Sequence, residues 1–517
     1  MGWTLDQFVR RNALRYPHKP GFVMGDSVRT WQEVDQRVDR VANALRAAGQ
    51  GSQNRVAILL RNCLEYPEVL FGASRAGLIA LPLSYRLTVP ELREIVATAE
   101  PGVIVAAEED AHKAAELMSL VPSLQQVWVV GGDEAGARAG GESCYEAVLA
   151  AASADPAVSP AREDDPFAIF YTSGTTGNPK GAMVTHLNLE ANGYNQGLID
   201  HSRSADVNLV GTPLYHMGAV RMMITYLMLG CTQVINHRFD PALWLETVQR
   251  RAVTVAVLVS TMINSIVNHP GLAAYDLSSL RTIFYGGGPT PPAVLKRAMQ
   301  TLRCGFTQSY GMTETLEATF LLPGDHVLDG TPQQTKRLAS AGREAVGADI
   351  RIIDDQGFEL ASGQVGEILI RSRSVIPGYW KSPEATAQAI KDGWFYTGDL
   401  GYLDEDRYLF IVDRKKDVVL SGGVNIFTKE IEAVLYTHPS VMEAAVVGLP
   451  DDHWGEVVTA CVVLRPGTAA TEQDLVSHCL LSLASYKKPR RVYFLEDLPK
   501  SPSGKVLKRE LRTHLTA

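Results

Sequence analysis

The stretch Tyr171-Thr172-Ser173-Gly174-Thr175-Thr176-Gly177-Asn178-Pro179-Lys180-Gly181 governs the reading of this chain. It follows the apolar run Phe167–Tyr171, which reads as a short strand, and it precedes a helix expected after Thr185. Gly174, Gly177 and Gly181 let the backbone turn sharply and approach a ligand closely. Ser173, Thr175 and Thr176 supply hydroxyl donors and Lys180 supplies a positive charge, a set suited to a polyphosphate. The string is not a Walker A loop, which requires Ser or Thr after its lysine; here Gly181 follows Lys180. Composition alone would allow a Ser/Thr/Gly linker. The order of the residues argues for a binding loop.

Outward from this loop, strand and helix patterns alternate as in α/β proteins. Thr30 to Gly49 reads as a helix: Thr30 and Glu33 fit a capping box, Val34, Val38, Val41, Ala42 and Leu45 form one apolar face, and Gly49 can end it. The runs 56–60, 103–105, 127–130, 253–259 and 350–353 read as strands. A chain of 517 residues exceeds one ordinary domain. The charge cluster Asp413-Arg414-Lys415-Lys416-Asp417, set between apolar runs, is either a solvated turn or a hinge before a small C-terminal domain.

Bulk properties exclude several classes. Hydrophobic residues make up 46% and charged residues 21%, as in a globular protein with a large core. A formal net charge of −8 argues against a nucleic-acid binder held by phosphate contacts. The 6 cysteines form no C-x-x-C pair, so neither a zinc site nor a disulfide framework is expected. The N-terminus lacks a secretory pattern, and Asp6 stands where a myristoylation motif wants Ser or Thr. The longest apolar stretch, Met222 to Cys231, is too short to span a bilayer. A cytoplasmic protein without a membrane span is expected. No G-x-G-x-x-G opens a βαβ unit near the start, which argues against a nicotinamide oxidoreductase.

Further motifs lie in order along the chain: Leu87-Thr88 with Glu91-Leu92, then Pro213-Leu214-Tyr215-His216, Gln308-Ser309-Tyr310-Gly311-Met312-Thr313-Glu314-Thr315, Tyr396-Thr397-Gly398-Asp399, Asp413-Arg414, and Pro499-Lys500-Ser501-Pro502-Ser503-Gly504-Lys505. With the glycine-threonine loop, this series resembles the adenylate-forming superfamily over nearly the whole chain. That group includes acyl-CoA synthetases, firefly-type luciferases and nonribosomal peptide adenylation domains. The resemblance implies a large N-terminal α/β domain over 1–415, with helix-flanked sheets and a small β-barrel-like part. It also implies a mobile α+β lid domain over 416–517.

The implied activity is that of an acyl-CoA synthetase using ATP, Mg²⁺ and coenzyme A. A carboxylate must attack the α-phosphorus of ATP, so two anions meet, and cations and oriented donors must offset their repulsion. By resemblance, Thr172 to Gly177 and Lys180 hold the phosphates, Thr313 contacts the α-phosphate, and Glu314 with Thr175 ligates Mg²⁺. Gly287, Gly288, Pro289, Ser309, Tyr310 and Gly311 frame the adenine, and Asp399 and Arg414 hold the ribose. Lys505 bridges the substrate carboxylate and the α-phosphate. Lys416 is the hinge, and Gly422, Gly423 and Trp454 serve coenzyme A in the second step. His216 stands as a gate between acyl pocket and thiol tunnel.

The pocket-lining segments of the family match Met217–Met223, Val259–Ile263 and Tyr285–Gly288. His216, Met217, Arg221, Ser260, Tyr285, Gly286, Gly287 and Met312 are the candidate substrate contacts. Their apolar character points to a hydrophobic or aromatic acid. Arg221 reads as a snorkelling arginine at a helix edge or as the partner of a second substrate carboxylate. Two departures concern the thioester step. Many relatives carry Glu where Val424 stands, and many have Pro in the stretch occupied by Phe427-Thr428-Lys429. They support an alternative in which the acyl group passes to a carrier protein or partner enzyme acting in trans. A non-catalytic nucleotide-binding homologue is the remaining alternative; it would not need Lys180, Glu314, Asp399 and Lys505 together.

Overall fold

The computed structural model describes residues 2–131, 142–172, 179–288, 290, 292–500 and 506–516. The chain divides into two compact units. One comprises Met1–Leu338, Gly342–Asp349 and Ile370–Phe395; the other comprises Ala339–Ala341, Ile350–Leu369 and Tyr396–Ala517.

The first unit carries two large sheets. A seven-stranded sheet runs in the order Glu142–Cys144, Gln126–Val130, Pro101–Ala107, Arg55–Leu59, Ile79–Pro82, Pro166–Thr172, Lys180–Thr185. All neighbours are parallel except the last pair. A nine-stranded sheet has the parallel run Gly305–Met312, Thr282–Gly286, Val255–Leu258, Val207–Val210, Thr232–Ile235 at its centre. Parallel strands buried on both faces read as near-continuous apolar runs, which is why 103–105 and 127–130 were legible as strands.

Local rules place the helices. Trp31–Ala47 starts at Thr30, whose backbone N–H donates to Glu33 Oε2 at 2.7 Å while Glu33 N donates to Thr30 Oγ1 at 3.3 Å. Val34, Val38, Val41, Ala42 and Leu45 are all buried. The early motif at Thr88 and Glu91 has the same form: Thr88 N donates to Glu91 Oε2 at 2.7 Å and caps helix Val89–Ala99. The apolar stretch near residue 222 forms helix Met217–Met228, buried at every position but Gly218. A helix that is apolar all round belongs in a core. Among the described residues no helix is long and apolar enough to cross a membrane.

The second unit contains a separate α+β layer. Its sheet order is Val424–Ile426, Val419–Ser421, Gly455–Leu464, Val441–Asp451, with Arg491–Phe494 parallel to Gly455–Leu464. Helices Thr428–Leu435, Glu472–Leu480 and Lys508–Thr516 accompany it. The antiparallel pair Trp394–Leu403 and Leu409–Arg414 carries the motif Asp399 and Arg414 opposite each other.

Candidate active site

In the first unit the strands on either side of the glycine-threonine loop pair antiparallel, and Thr172 and Lys180 face each other across the ladder. The strand Lys180–Thr185 that closes the hairpin was not anticipated; the helix expected after Thr185 follows it as His186–Asp200, capped by Thr185. Gly181 is required by packing, because a Cβ there would meet Ile169 Cγ2 at 2.8 Å. The loop residues Ser173, Gly174, Thr175, Thr176 and Gly177 lie outside the described residues, as do Pro289 and Lys505.

A second hairpin brings Glu314 to this one. Strands Gly305–Met312 and Leu316–Leu321 pair antiparallel, with Thr313 and Glu314 in the turn between them. Thr315 fixes that turn: Met312 N donates to Thr315 Oγ1 at 3.2 Å, and Thr315 N donates to Met312 O at 3.2 Å. Glu314 is buried, and its Oε1 accepts two hydroxyls, from Thr172 at 3.3 Å and from Tyr379 at 3.1 Å. The ring of Tyr379 also carries the Lys180 ammonium, 5.3 Å from its centroid. Burial pushes the Tyr379 phenol up, with the Glu314 charge adding to the shift, so Tyr379 stays a donor.

Tyr379 was not among the expected site residues. Its segment is bound to the loop hairpin by Trp380 N donating to Gly181 O at 2.7 Å and Met183 N donating to Gly378 O at 3.1 Å. The signal available in the sequence was only the order Gly378-Tyr379-Trp380, which says nothing of a contact some two hundred residues away.

The adenine-framing candidates sit on adjacent strand ends. Gly286 pairs with Ser309, and a Cβ on Gly286 would meet Ser309 O at 2.5 Å. Gly287 follows with φ +76°, a conformation that favours glycine. Tyr285, by contrast, has its side chain in the core. Its hydroxyl lies 2.9 Å from His326 Nε2, and His326 Nδ1 lies 2.8 Å from Leu322 O. A carbonyl only accepts, so Nδ1 carries the proton and Nε2 accepts the Tyr285 hydroxyl. Burial lowers His326 and raises Tyr285, which keeps both neutral.

His216 is the N-cap residue of helix Met217–Met228. The turn before it is held by Asn62, which accepts from Leu214 N at 2.8 Å and donates to Thr212 O at 2.9 Å. The Tyr66 hydroxyl adds a bond to Leu214 O at 3.0 Å. Met217 is buried, while Ser260 and Met312 are partly buried. Arg221 does not snorkel. It is 2% exposed, its Nε contacts Glu317, and its Nη1 donates to Gln196. The helix it sits on has no solvent edge at that turn, so its charge had to be met from inside.

In the second unit, Arg414 Nε lies 3.3 Å from Asp399 Oδ1, and Asp399 is 5% exposed. Gly398 N donates to Glu367 Oε1 at 3.3 Å, and Lys415 bonds Glu367 at 3.2 Å and Asp355 at 2.9 Å. Lys416 is exposed, and its carbonyl accepts from Arg512 at 3.4 Å. Asp413 is fully buried, and its Oδ2 accepts from Thr428 N at 2.5 Å and Thr428 Oγ1 at 2.8 Å. Those donors belong to the first turn of a helix, so a carboxylate there is favoured twice over. Lys429 is lowered by burial, against the pull of Asp399 and Asp413. Gly422 and Gly423 form the turn between two short strands with φ +58° and +80°. A Cβ on Gly422 would press the Trp454 ring at 2.9 Å, and Arg490 lies 4.2 Å over that ring. Val424 is 45% exposed beside them.

Comparison with known proteins bears on both units. Residues 9–380 match the family model described as AMP-binding enzyme, and residues 430–505 match the AMP-binding enzyme C-terminal domain. A feruloyl-CoA synthase from Amycolatopsis sp is 38% identical over 503 residues, covering 97% of each chain. The fatty acid–[acyl-carrier-protein] ligase ScoC from Streptomyces coeruleorubidus is 36% identical over 515 residues, 98% of this chain and 96% of that one. The ATP-bound crystal structure of MatB from Rhodopseudomonas palustris superimposes with a TM-score of 0.89 at 31% identity, covering 99% of each chain.

Proposed function

The chain belongs to the AMP-binding enzyme family and is an AMP-forming acid–thiol ligase, and on that premise we propose how its own residues divide the work. It activates a carboxylic acid with ATP to an acyl-adenylate and passes the acyl group to coenzyme A, giving acyl-CoA, AMP and pyrophosphate. The observation that carries the assignment of roles is the meeting of Thr172, Lys180, Tyr379 and Glu314 through two hydrogen bonds and a cation–ring contact. Lys180 faces the polyphosphate, and Thr313 orients the α-phosphate. Glu314 suits Mg²⁺: two hydroxyls reach Oε1, none among the described residues reaches Oε2, and a hard cation prefers such oxygen ligands. Glu314 would hold a Mg²⁺ ion there, and the ion would offset phosphate charge.

Asp399 accepts from the ribose hydroxyls, with Arg414 keeping the carboxylate in place. Gly287, Gly288, Pro289, Ser309, Tyr310 and Gly311 frame the adenine. Lys505 supplies a positive charge between acid and α-phosphate during adenylation, with Lys416 as the hinge between domains 1–415 and 416–517. For the thioester step, Gly422 and Gly423 give a thiol arm room to pass, and Trp454 meets coenzyme A. The acid is hydrophobic or aromatic, and the enzyme works in the cytoplasm without nucleic acid. A second reading, acyl transfer to a carrier protein, is favoured by Val424: an exposed apolar residue cannot move His216 as a glutamate would.

The test is a panel of carboxylic acids with ATP and Mg²⁺, following pyrophosphate exchange and thioester formation separately. Exchange with thioester formation on coenzyme A supports the first reading. Exchange without it, restored by a carrier protein, supports the second. No exchange with any acid refutes both.

A further inference from the structure

Within the second unit, the segment 413–417 is gripped from two sides. Asp413 precedes Lys416 in the chain and Thr428 follows it, yet the two meet. Asp413 is fully buried, and its Oδ2 accepts from Thr428 N at 2.5 Å, Thr428 Oγ1 at 2.8 Å and Lys429 N at 3.4 Å. Its Oδ1 accepts from Arg414 N at 2.8 Å. On the other side, Arg512 donates to Lys416 O at 3.4 Å and lies 3.1 Å from Asp417 Oδ1. Arg512 belongs to helix Lys508–Thr516, and the first residue of that helix closes the ring. Lys508 Nζ donates to Thr428 Oγ1 at 2.7 Å and lies 2.7 Å from Glu432 Oε1.

Thr428 is the shared member. A hydroxyl has one proton and two lone pairs, so Oγ1 gives its proton to Asp413 and accepts from Lys508 at once. The helix itself does not ask for threonine here. Thr428 is the first residue of Thr428–Leu435, a position that suits proline, whose missing N–H has no intrahelical partner in any case. A proline at 428 would leave Asp413 Oδ2 with Lys429 N as its one donor from beyond Lys416. Threonine adds two donors, and both go to a buried carboxylate, where a hydrogen bond is strong and its loss costly.

We propose that Thr428 is a positioning residue of the two-step reaction: through Asp413 and Lys508 it clasps the hinge segment in one arrangement and sets how readily the chain leaves it. The inference rests on the reading of Lys416 as the hinge. A turn at Lys416 moves Thr428 against Asp413, because the two lie on opposite sides of it in the chain. Hydrogen bonds fail once donor and acceptor part beyond about 3.5 Å. The clasp is therefore closed in one arrangement and open in any other. Loosening it changes the balance between adenylation and thioester formation rather than the chemistry of either step.

The experiment uses the full chain and two readouts. Lys415 and Lys416 are exposed, so limited trypsin digestion reports how often the hinge segment opens. Adenylation is followed by ATP–pyrophosphate exchange, and thioester formation from a preformed adenylate separately. Thr428→Ser keeps both donors and should match the wild type. Thr428→Val loses the hydroxyl alone and should be cut at the hinge about tenfold faster, with the ratio of the two half-reaction rates displaced by a similar factor. Thr428→Pro loses both donors and should go further in each readout. Arg512→Met, which leaves Thr428 untouched, should also speed hinge cleavage. Unchanged cleavage in Thr428→Val and Thr428→Pro would overturn the inference, as would an equal fall of both half-reactions. Lys416→Pro separates the two levels. If it impairs turnover while the Thr428 variants leave the rate ratio unmoved, the clasp fails and the hinge reading stands. If it changes neither half-reaction, the hinge reading fails and the inference with it.

Discussion

Replacing Tyr379 with Phe removes one oxygen and nothing else, which makes it the sharpest probe of the Glu314 site. The phenol donates to Glu314 Oε1 at 3.1 Å, and Thr172 donates to the same oxygen at 3.3 Å. A hydrogen bond to a charged group contributes about 1.5–3 kcal/mol. Thr172 still serves the oxygen in the variant, so the loss should fall at the low end. About 1.5 kcal/mol corresponds to roughly a tenfold slower adenylation step. Lys180 keeps its place, since the ring 5.3 Å beneath it is unchanged. Tyr379→Leu removes that ring as well and should cost a further ~0.5–2 kcal/mol. The assay is ATP–pyrophosphate exchange, run as a titration of Mg²⁺ at fixed ATP. Tyr379→Phe should need more Mg²⁺ for half-saturation, because Glu314 held by Thr172 alone is a poorer ligand. A general loss of fold would not shift that titration in a stable enzyme. If Tyr379→Phe matches the wild type in both rate and Mg²⁺ dependence, Tyr379 does not position Glu314.

Asp399→Ala should weaken ATP binding by about 1–3 kcal/mol, because the ribose loses its acceptor and Arg414 its partner; calorimetric ATP affinity equal to wild type would contradict the role. Lys505→Ala should abolish adenylation and spare thioester formation from a preformed adenylate; equal loss of both would contradict the assignment of Lys505 to the first step alone. His186 accepts from Leu5 N at 3.1 Å, and burial holds its pKa down to about 3. The unfolded chain therefore binds more protons below the ordinary histidine value of about 6.5, and stability falls as pH drops from there towards 3. Glu68, raised to about 7 by burial, works in the opposite direction between its ordinary value and 7, so the measurement must be a difference. Relative to His186→Gln, the wild type should lose about 2 kcal/mol between pH 7 and pH 5 in urea unfolding. A constant difference would show that His186 does not titrate with folding.

Much of the candidate site could be proposed from the chain because adenylation places demands on residue types held in short strings. The glycine-threonine loop, Thr313-Glu314, Asp399 and Arg414 stand within such strings. Helix Trp31–Ala47 was readable to within a residue or two because a capping box and an apolar face are local features. The strand Lys180–Thr185 was not, since its pairing with Pro166–Thr172 is decided across the intervening loop.

What the sequence settles alone is the chemistry: which cations, carboxylates and hydroxyls are present, and in what order. Only the folded chain decides who meets whom. Tyr379 reaches Glu314 because its segment lies along the loop hairpin. Arg221 turns from a surface arginine into one half of a buried pair because helix Met217–Met228 is buried at every position but Gly218. Both outcomes depend on contacts between residues far apart in the chain, and burial there makes an unpaired charge or hydroxyl costly enough to select its partner.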